Sequence, residues 1–595
     1  MARIDNLNPG VIAPPPLPPS LTERPRGGAF GASVSRRARG AVRAGAVPYA
    51  LLALVVGAVV LYPSAQLVWR SFHIGATGAV TWEPYRVLVE DARTRTALLN
   101  TLVTGGLSTL LCAVIGVALA WLTVRTDLPG ARFFRVAFVL PFYIPAFIGA
   151  IAWLQIIGPV GYFNQAYKAI TGGPDPLFRP YGPGGIVFLL ALHHYPLVYL
   201  PVAAALDRFQ PVLEDAARVA GAGSRRLLWD ISLPLLGPGI LAGSFLAFVT
   251  NVADFGIPAV MGIQARYYVL TTRIYQVALD SSMRNNLAFA AAQGMLLVAI
   301  AAVALAAQAR ALRGRRYSLA GAQGRGVDRA PLGAWRGPVT ALAVLVVFVV
   351  LIAPVAATAL AALTRVPGYP PTPDNLSLDN FRIAFIENAA TGRALRNSLA
   401  LAAASATIIA VLGFAVAYAR QRTTLPGSGL LELVATVPYA VPGTVVALAF
   451  ILAFARPVFG VGVYNTIWLI LLAYLARFLT FGIAAAGAAL RSVSETLPAA
   501  ARMSGASWWQ AQRDTVFPLV RGALLGGWLL VFVPCLAELT VSALLYSAGN
   551  ETVGVAVFNL LETGIVAPAA ALALTLMLIA LGGSTLAQWL TRPRT

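Results

Sequence analysis

The chain has 595 residues, 58% hydrophobic and 11% charged, with 44 Lys and Arg against 23 Asp and Glu. Soluble domains carry about 25% charged residues, so this composition, with a mean hydropathy of +0.75, excludes a soluble protein. The formal charge of +21 does not indicate nucleic acid, because arginines such as Arg36, Arg37, Arg39, Arg315 and Arg316 flank apolar runs and suit anionic lipid headgroups.

Residues 1–46 are rich in Pro, Gly and Arg and are predicted to form a disordered basic cytoplasmic tail. They are not a cleaved signal peptide, since the tail is long and the first apolar run is long enough to span. Twelve apolar spans follow, each near the roughly 20 residues that cross about 30 Å of hydrocarbon. Six lie near 47–69, 99–124, 136–157, 185–206, 236–262 and 288–309. Six more lie near 339–363, 397–419, 434–455, 464–488, 522–545 and 563–588. No strand-like alternation competes, so the spans are predicted as helices that satisfy their own backbone hydrogen bonds. The predicted fold is all-α and polytopic, with halves at 47–309 and 338–588 joined by an Arg- and Gly-rich linker at 310–337. Lys and Arg favour the side of the N-terminus about two to one, which places both termini in the cytoplasm. Cys112 and Cys535 both fall within spans, so neither a disulfide framework nor a cysteine metal site is expected.

The halves repeat. Asn100-Thr101-Leu102 matches Asn397-Ser398-Leu399, Leu128-Pro129-Gly130 matches Leu425-Pro426-Gly427, and Pro141-Phe142-Tyr143-Ile144-Pro145 matches Pro438-Tyr439-Ala440-Val441-Pro442, all at an offset of 297 residues. Beyond the third span the offset falls to 284, so the first half carries 13 extra residues in the loop between 158 and 184. Two halves of six spans share one orientation and relate by an axis along the membrane normal.

At the 284 offset two polar loops correspond, 207–234 and 491–518. The first contains Leu213-Glu214-Asp215-Ala216-Ala217-Arg218-Val219-Ala220-Gly221 and the second Leu497-Pro498-Ala499-Ala500-Ala501-Arg502-Met503-Ser504-Gly505. Ala216, Ala217, Ala500 and Ala501 favour a short helix of little bulk. Gly221 and Gly505 let the chain turn after it. Pro234 and Pro518 suit the first turn of the next span.

The pattern Asp215-Ala216-Ala217, three residues, Gly221, nine residues, then Ile231, Leu233 and Pro234 resembles the EAA loop of ABC importer permeases. The second copy departs from it, with Ala499 in place of the acid and Thr515 and Phe517 at the Ile and Leu positions. The six-plus-six arrangement looks like the fused permeases of the ferric-iron importer family, whose relatives handle thiamine, polyamines, sulfate and phosphonates. The resemblance implies a type I importer in a bacterial inner membrane. Two copies of a cytoplasmic ABC ATPase would dock on Glu214, Asp215, Ala216, Ala217, Arg218 and Gly221, and on Ala500, Ala501, Arg502 and Gly505. A periplasmic binding protein would deliver the solute, ferric iron being the first choice. ATP and Mg would sit on the ATPase, with no cofactor, metal or nucleic acid bound by this chain. The chain has no phosphate-cradling loop and Lys168 is its sole lysine, so the energy source lies in another polypeptide or an ion gradient.

Polar residues inside spans are costly and mark function by default. At the 284 offset Asp254 pairs with Glu538 and His193 with Arg477. Facing a central pathway, these would line a gate or transient site, and oxygen ligands with a nearby His suit a hard cation. The structural alternative has Glu538 and Arg477 neutralising each other and Asp254 bonded to His193 or Asn251. Tyr143 and Tyr439, between paired prolines, serve as gate residues or as packing and kink elements. Two rival classes stand beside this reading. An ion-coupled secondary transporter would have no reason to repeat a helix–Gly–Pro loop, and a membrane-embedded enzyme would need an acid–base or metal cluster that the loops lack.

Overall fold

The computed structural model describes residues 47–74, 79–208, 212–313, 329–366, 369 and 372–591. The tail expected at 1–46 and most of the linker lie outside them. Of a first unit, Met1–Leu51, only the opening turn of a helix is described, and the chain from Leu52 onward forms a second unit.

Eleven helices among the described residues are long and apolar enough to cross a membrane, and a bent pair makes a twelfth. The first half contributes α1 Val47–Ser71, α2 Ala92–Arg125, α3 Ala146–Thr171, α4 Pro183–Asp207, α5 Arg225–Ala253 and α6 Asn286–Leu312. The second contributes α7 Gly333–Leu363, α8 Ala389–Arg422, the bent pair α9 (Ser428–Ala440 with Gly443–Phe454), α10 Ile467–Arg491, α11 Trp508–Leu536 and α12 Val566–Leu590. The fold is an all-α polytopic membrane protein.

The spans predicted at 136–157 and 434–455 are broken at their paired prolines. The chain bends by 111° between the two limbs of α9. The break falls at Val441, extended at ψ 133, followed by Pro442. In the first half Ile144, extended at ψ 131, and Pro145 break the chain at the equivalent point, so α3 starts at Ala146 after a turn at Leu140–Tyr143. Proline crowds the residue before it out of the helical region and offers no N–H of its own. The loop expected to hold the 13 extra residues contains helix Tyr162–Thr171, which continues α3 after a turn at 158–161.

In each half three helices pack closely, α2 with α4 and α5, and α8 with α10 and α11. Glycines at equivalent positions permit this. A Cβ on Gly116 would lie 2.9 Å from the Tyr199 nitrogen, and one on Gly413 2.5 Å from the Gly482 carbonyl carbon. Gly243 and Gly527 meet α4 and α10 in the same way, at 2.7 Å from Val198 Cα and 2.5 Å from Ala485 Cβ. Close backbone approach of this kind drives helix association where lipid tails remove the hydrophobic term. The first helix of each half crosses to the other: α1 packs against α6 and the second limb of α9, and α7 against α12 and α3. The Tyr62 hydroxyl of α1 donates to the Ala453 carbonyl at 3.0 Å.

Candidate coupling surfaces and translocation pathway

Two short helices, Val212–Val219 and Thr496–Met503, stand in the polar loops at the 284 offset. Both end in one hydrogen-bond pattern. Gly221 N–H donates to Arg218 O at 2.9 Å and Ala222 N–H to Ala217 O at 2.9 Å. Gly505 N–H donates to Arg502 O and Ala506 N–H to Ala501 O, both at 3.1 Å. This is the Schellman closure, and it requires a left-handed residue after the helix. Gly221 has φ +86 and Gly505 φ +93, a region costly for any residue with a Cβ. Ala216, Arg218, Ala500 and Arg502 are exposed and Ala217 and Ala501 half-buried, so the two helices present matching faces. Each carries one strongly exposed apolar side chain at its end, Val219 at 91% and Met503 at 90%.

Glu214 departs from the expectation that it faces a partner. Its carboxylate is buried, ion-paired with Arg125 at the end of α2, and accepts a hydrogen bond from Ser232 Oγ at 2.7 Å. It therefore ties the first short helix to α2 and to the root of α5. The side chain of Asp215 lies outside the described residues. The second loop has Pro498 at the Glu214 position and is held differently. Arg422, equivalent to Arg125 at the 297 offset, donates to the carbonyls of Leu490, at 2.7 Å, and Val493, and pairs with Glu495 at 2.8 Å. Neither arginine figures among the expected site residues. Each closes the last turn of a long helix, and the 297 offset alone pairs them.

Within the membrane, Asp254 and Glu538 occupy equivalent breaks. Asp254 Oδ1 accepts the Ile257 N–H at 2.8 Å. Glu538 accepts the N–H groups of Val541, at 2.8 and 3.0 Å, and Ser542, at 3.0 Å. Each acid thus caps the short helix that follows, Gly256–Gly262 and Ser542–Leu545. Among the described residues the Asp254 carboxylate bonds to neither His193 nor Asn251, and only its backbone N–H reaches the Asn251 carbonyl, at 3.4 Å. His194 takes Asn251 instead, Nδ1 to Oδ1 at 2.7 Å, and Asn251 donates onward to Thr109 Oγ1 at 3.1 Å. No ion pair within 4.0 Å joins Arg477 to Glu538 among the described residues. Arg477 Nη1 donates to the Val441 carbonyl at the α9 bend, at 3.3 Å, and lies 2.9 Å from where a Cβ on Gly443 would stand.

Tyr439 corresponds to Phe142 at the 297 offset. The Phe142 ring lies 6.1 Å from His193 of α4, and the Tyr439 ring lies 5.0 Å from Phe481 of α10. The Tyr143 hydroxyl accepts a hydrogen bond from Gln588 of α12 at 3.4 Å and joins the halves.

Residues 409–594 match the family described as binding-protein-dependent transport system inner membrane component. The molybdenum transport system permease protein ModB of Escherichia coli K12 is 31% identical over 160 residues, 27% of this chain and 68% of that protein. The chain belongs to this family. The ferric transport system permease protein FbpB of Actinobacillus pleuropneumoniae is 25% identical over 518 residues, 86% of this chain and 73% of that protein. The Fe(3+)-transport system permease protein FbpB 2 of Haemophilus influenzae is 24% identical over 542 residues, 90% of this chain and 96% of that protein. The molecule is accordingly an ABC importer permease and not an enzyme, and in this family ATP hydrolysis belongs to a separate subunit. Family membership also implies a binding-protein partner and a multi-pass place in the membrane.

Proposed function

We propose that this chain is the fused permease of a type I importer for ferric iron, driven by two copies of one cytoplasmic ATPase, one on each short helix. The observation that carries the mechanism is the repeated helix and Schellman turn at 212–222 and 496–506. The first short helix is tied to α2 through Arg125 and the approach to the second is tied to α8 through Arg422, so closure of the ATPase pair moves each half as a body. Alternating access then comes from rocking one half against the other, with both termini in the cytoplasm as the basic residues favour.

Ferric iron is supported by the two long-coverage relatives named for ferric transport. The polar centre is compatible with it, since Asp254 and Glu538 supply hard oxygen atoms. The test is reconstitution of the chain with its ATPase and binding protein in liposomes. ATP-dependent uptake of iron, but not of molybdate, thiamine, polyamines or phosphonates, is expected. Uptake by the chain alone on a proton or sodium gradient would overturn the importer mechanism, and ATP-driven uptake of another solute would overturn the iron assignment.

A further inference from the structure

The outer surface of the first half carries a groove of about 650 Å³ between α2, α5 and α6. Leu102, Leu241, Phe245, Phe248, Ile300 and Val303 wall it, and Val303 is 69% exposed. All three helices are membrane-spanning, so the groove opens to lipid. The second half is built differently at this point. Ser244, in the groove, is replaced at the 284 offset by Trp528. That indole stacks on Phe532, the equivalent of Phe248, at 4.8 Å and donates to Thr407 of α8 at 3.1 Å. A tryptophan thus covers in one half the face that a serine leaves open in the other.

The groove runs toward a basic helix end. Ile300, Val303 and Ala307 form one stripe of α6, and Arg310 continues it at the same three- and four-residue spacing, about 4.5 Å beyond Ala307. Arg313 follows directly after α6. An apolar channel of this size accepts a flexible hydrocarbon chain, and arginines at a membrane helix end attract phosphate headgroups.

We infer that this groove is a specific site for an anionic phospholipid, with an acyl chain between α5 and α6 and the phosphate at Arg310 and Arg313. Bound there, the lipid spans the seam between α5, which leads from the first coupling loop, and α6, and so fills the place that Trp528 fills in the second half.

The test is native mass spectrometry of the full-length chain titrated in detergent with phosphatidylglycerol or with phosphatidylcholine of the same chains. The first phosphatidylglycerol is expected to bind more tightly, by about fivefold for each arginine engaged. Arg310→Gln with Arg313→Gln should erase that preference while phosphatidylcholine still binds. Ser244→Trp, which copies the second half, should remove the first lipid of either kind. Val303→Phe narrows the same groove from the α6 side and should weaken it, so the site remains testable if Ser244→Trp folds poorly. Equal binding of the two lipids by the unaltered chain would overturn the site. Binding of phosphatidylglycerol that survives both groove substitutions, or crosslinking of a second polypeptide into the groove, would do so as well.

Discussion

Arg125 and Glu214 form a buried ion pair between the last residue of α2 and the short helix Val212–Val219, with side chains only 6% and 4% exposed. The equivalent Arg422 reaches an acid outside the helix instead, Glu495, which is 76% exposed. The two polar loops therefore share a backbone turn and differ in their fastening. Removing one partner of a buried pair leaves an uncompensated charge, whereas an exposed pair contributes little.

Glu214→Ala should accordingly destabilise the first half by about 3–5 kcal/mol, while Glu495→Ala should cost less than about 1 kcal/mol. Thermal unfolding in detergent measures both. Equal shifts would show that burial of Glu214 does not set its weight.

Gly221→Asp with Gly505→Asp should abolish transport while the protein still inserts. Each substitution places a Cβ at φ +86 or +93, a strain of roughly 1–2 kcal/mol per site, and puts a carboxylate on the docking face. Co-purification with the ATPase and ATP-driven uptake are the readouts. Full transport would remove the turn from the coupling mechanism.

Gly116→Leu and Gly413→Leu should each destabilise their half, since even a Cβ would meet backbone of α4 or α10 at 2.9 or 2.5 Å. Overpacking typically costs about 1–3 kcal/mol. Gly106→Ala on the same α2, where a Cβ meets nothing within 4 Å, serves as the control and should leave the unfolding midpoint unchanged.

Asp254→Asn with Glu538→Gln keeps one amide oxygen at each helix cap, so insertion and stability should stay near normal. Iron uptake should fall sharply, because the negative charge at the polar centre is lost. Unchanged uptake would leave capping as the whole role of these acids. Asp254→Ala removes the cap itself and should cost about 1 kcal/mol of stability.

Much of the candidate site is readable along the chain, because some constraints are local. A left-handed backbone after a short helix calls for glycine, so Gly221 and Gly505 announce their turns without any knowledge of the fold. Other features hide behind local patterns. Glu214 and Asp215 are neighbours of like chemistry, and the burial of Glu214 depends on Arg125, 89 residues away. Tyr143 draws attention as a tyrosine between prolines, yet the ring that stands beside His193 is Phe142, which matches Tyr439 at the repeat offset. Asp254 and Glu538 read as membrane carboxylates, while their cap bonds depend on where α5 and α11 break.

Hydropathy, repeat spacing and turn chemistry are properties of segments, and they are enough for the membrane class, the duplication and the paired loops. The crossing of α1 and α7 between halves, the Arg125 and Arg422 fastenings and the bond from Arg477 to the α9 bend arise from contacts between distant segments. Lipid tails solvate most apolar side chains equally well, so which faces meet is settled by glycine approach and polar pairing in three dimensions, and hydropathy along the chain cannot express that choice.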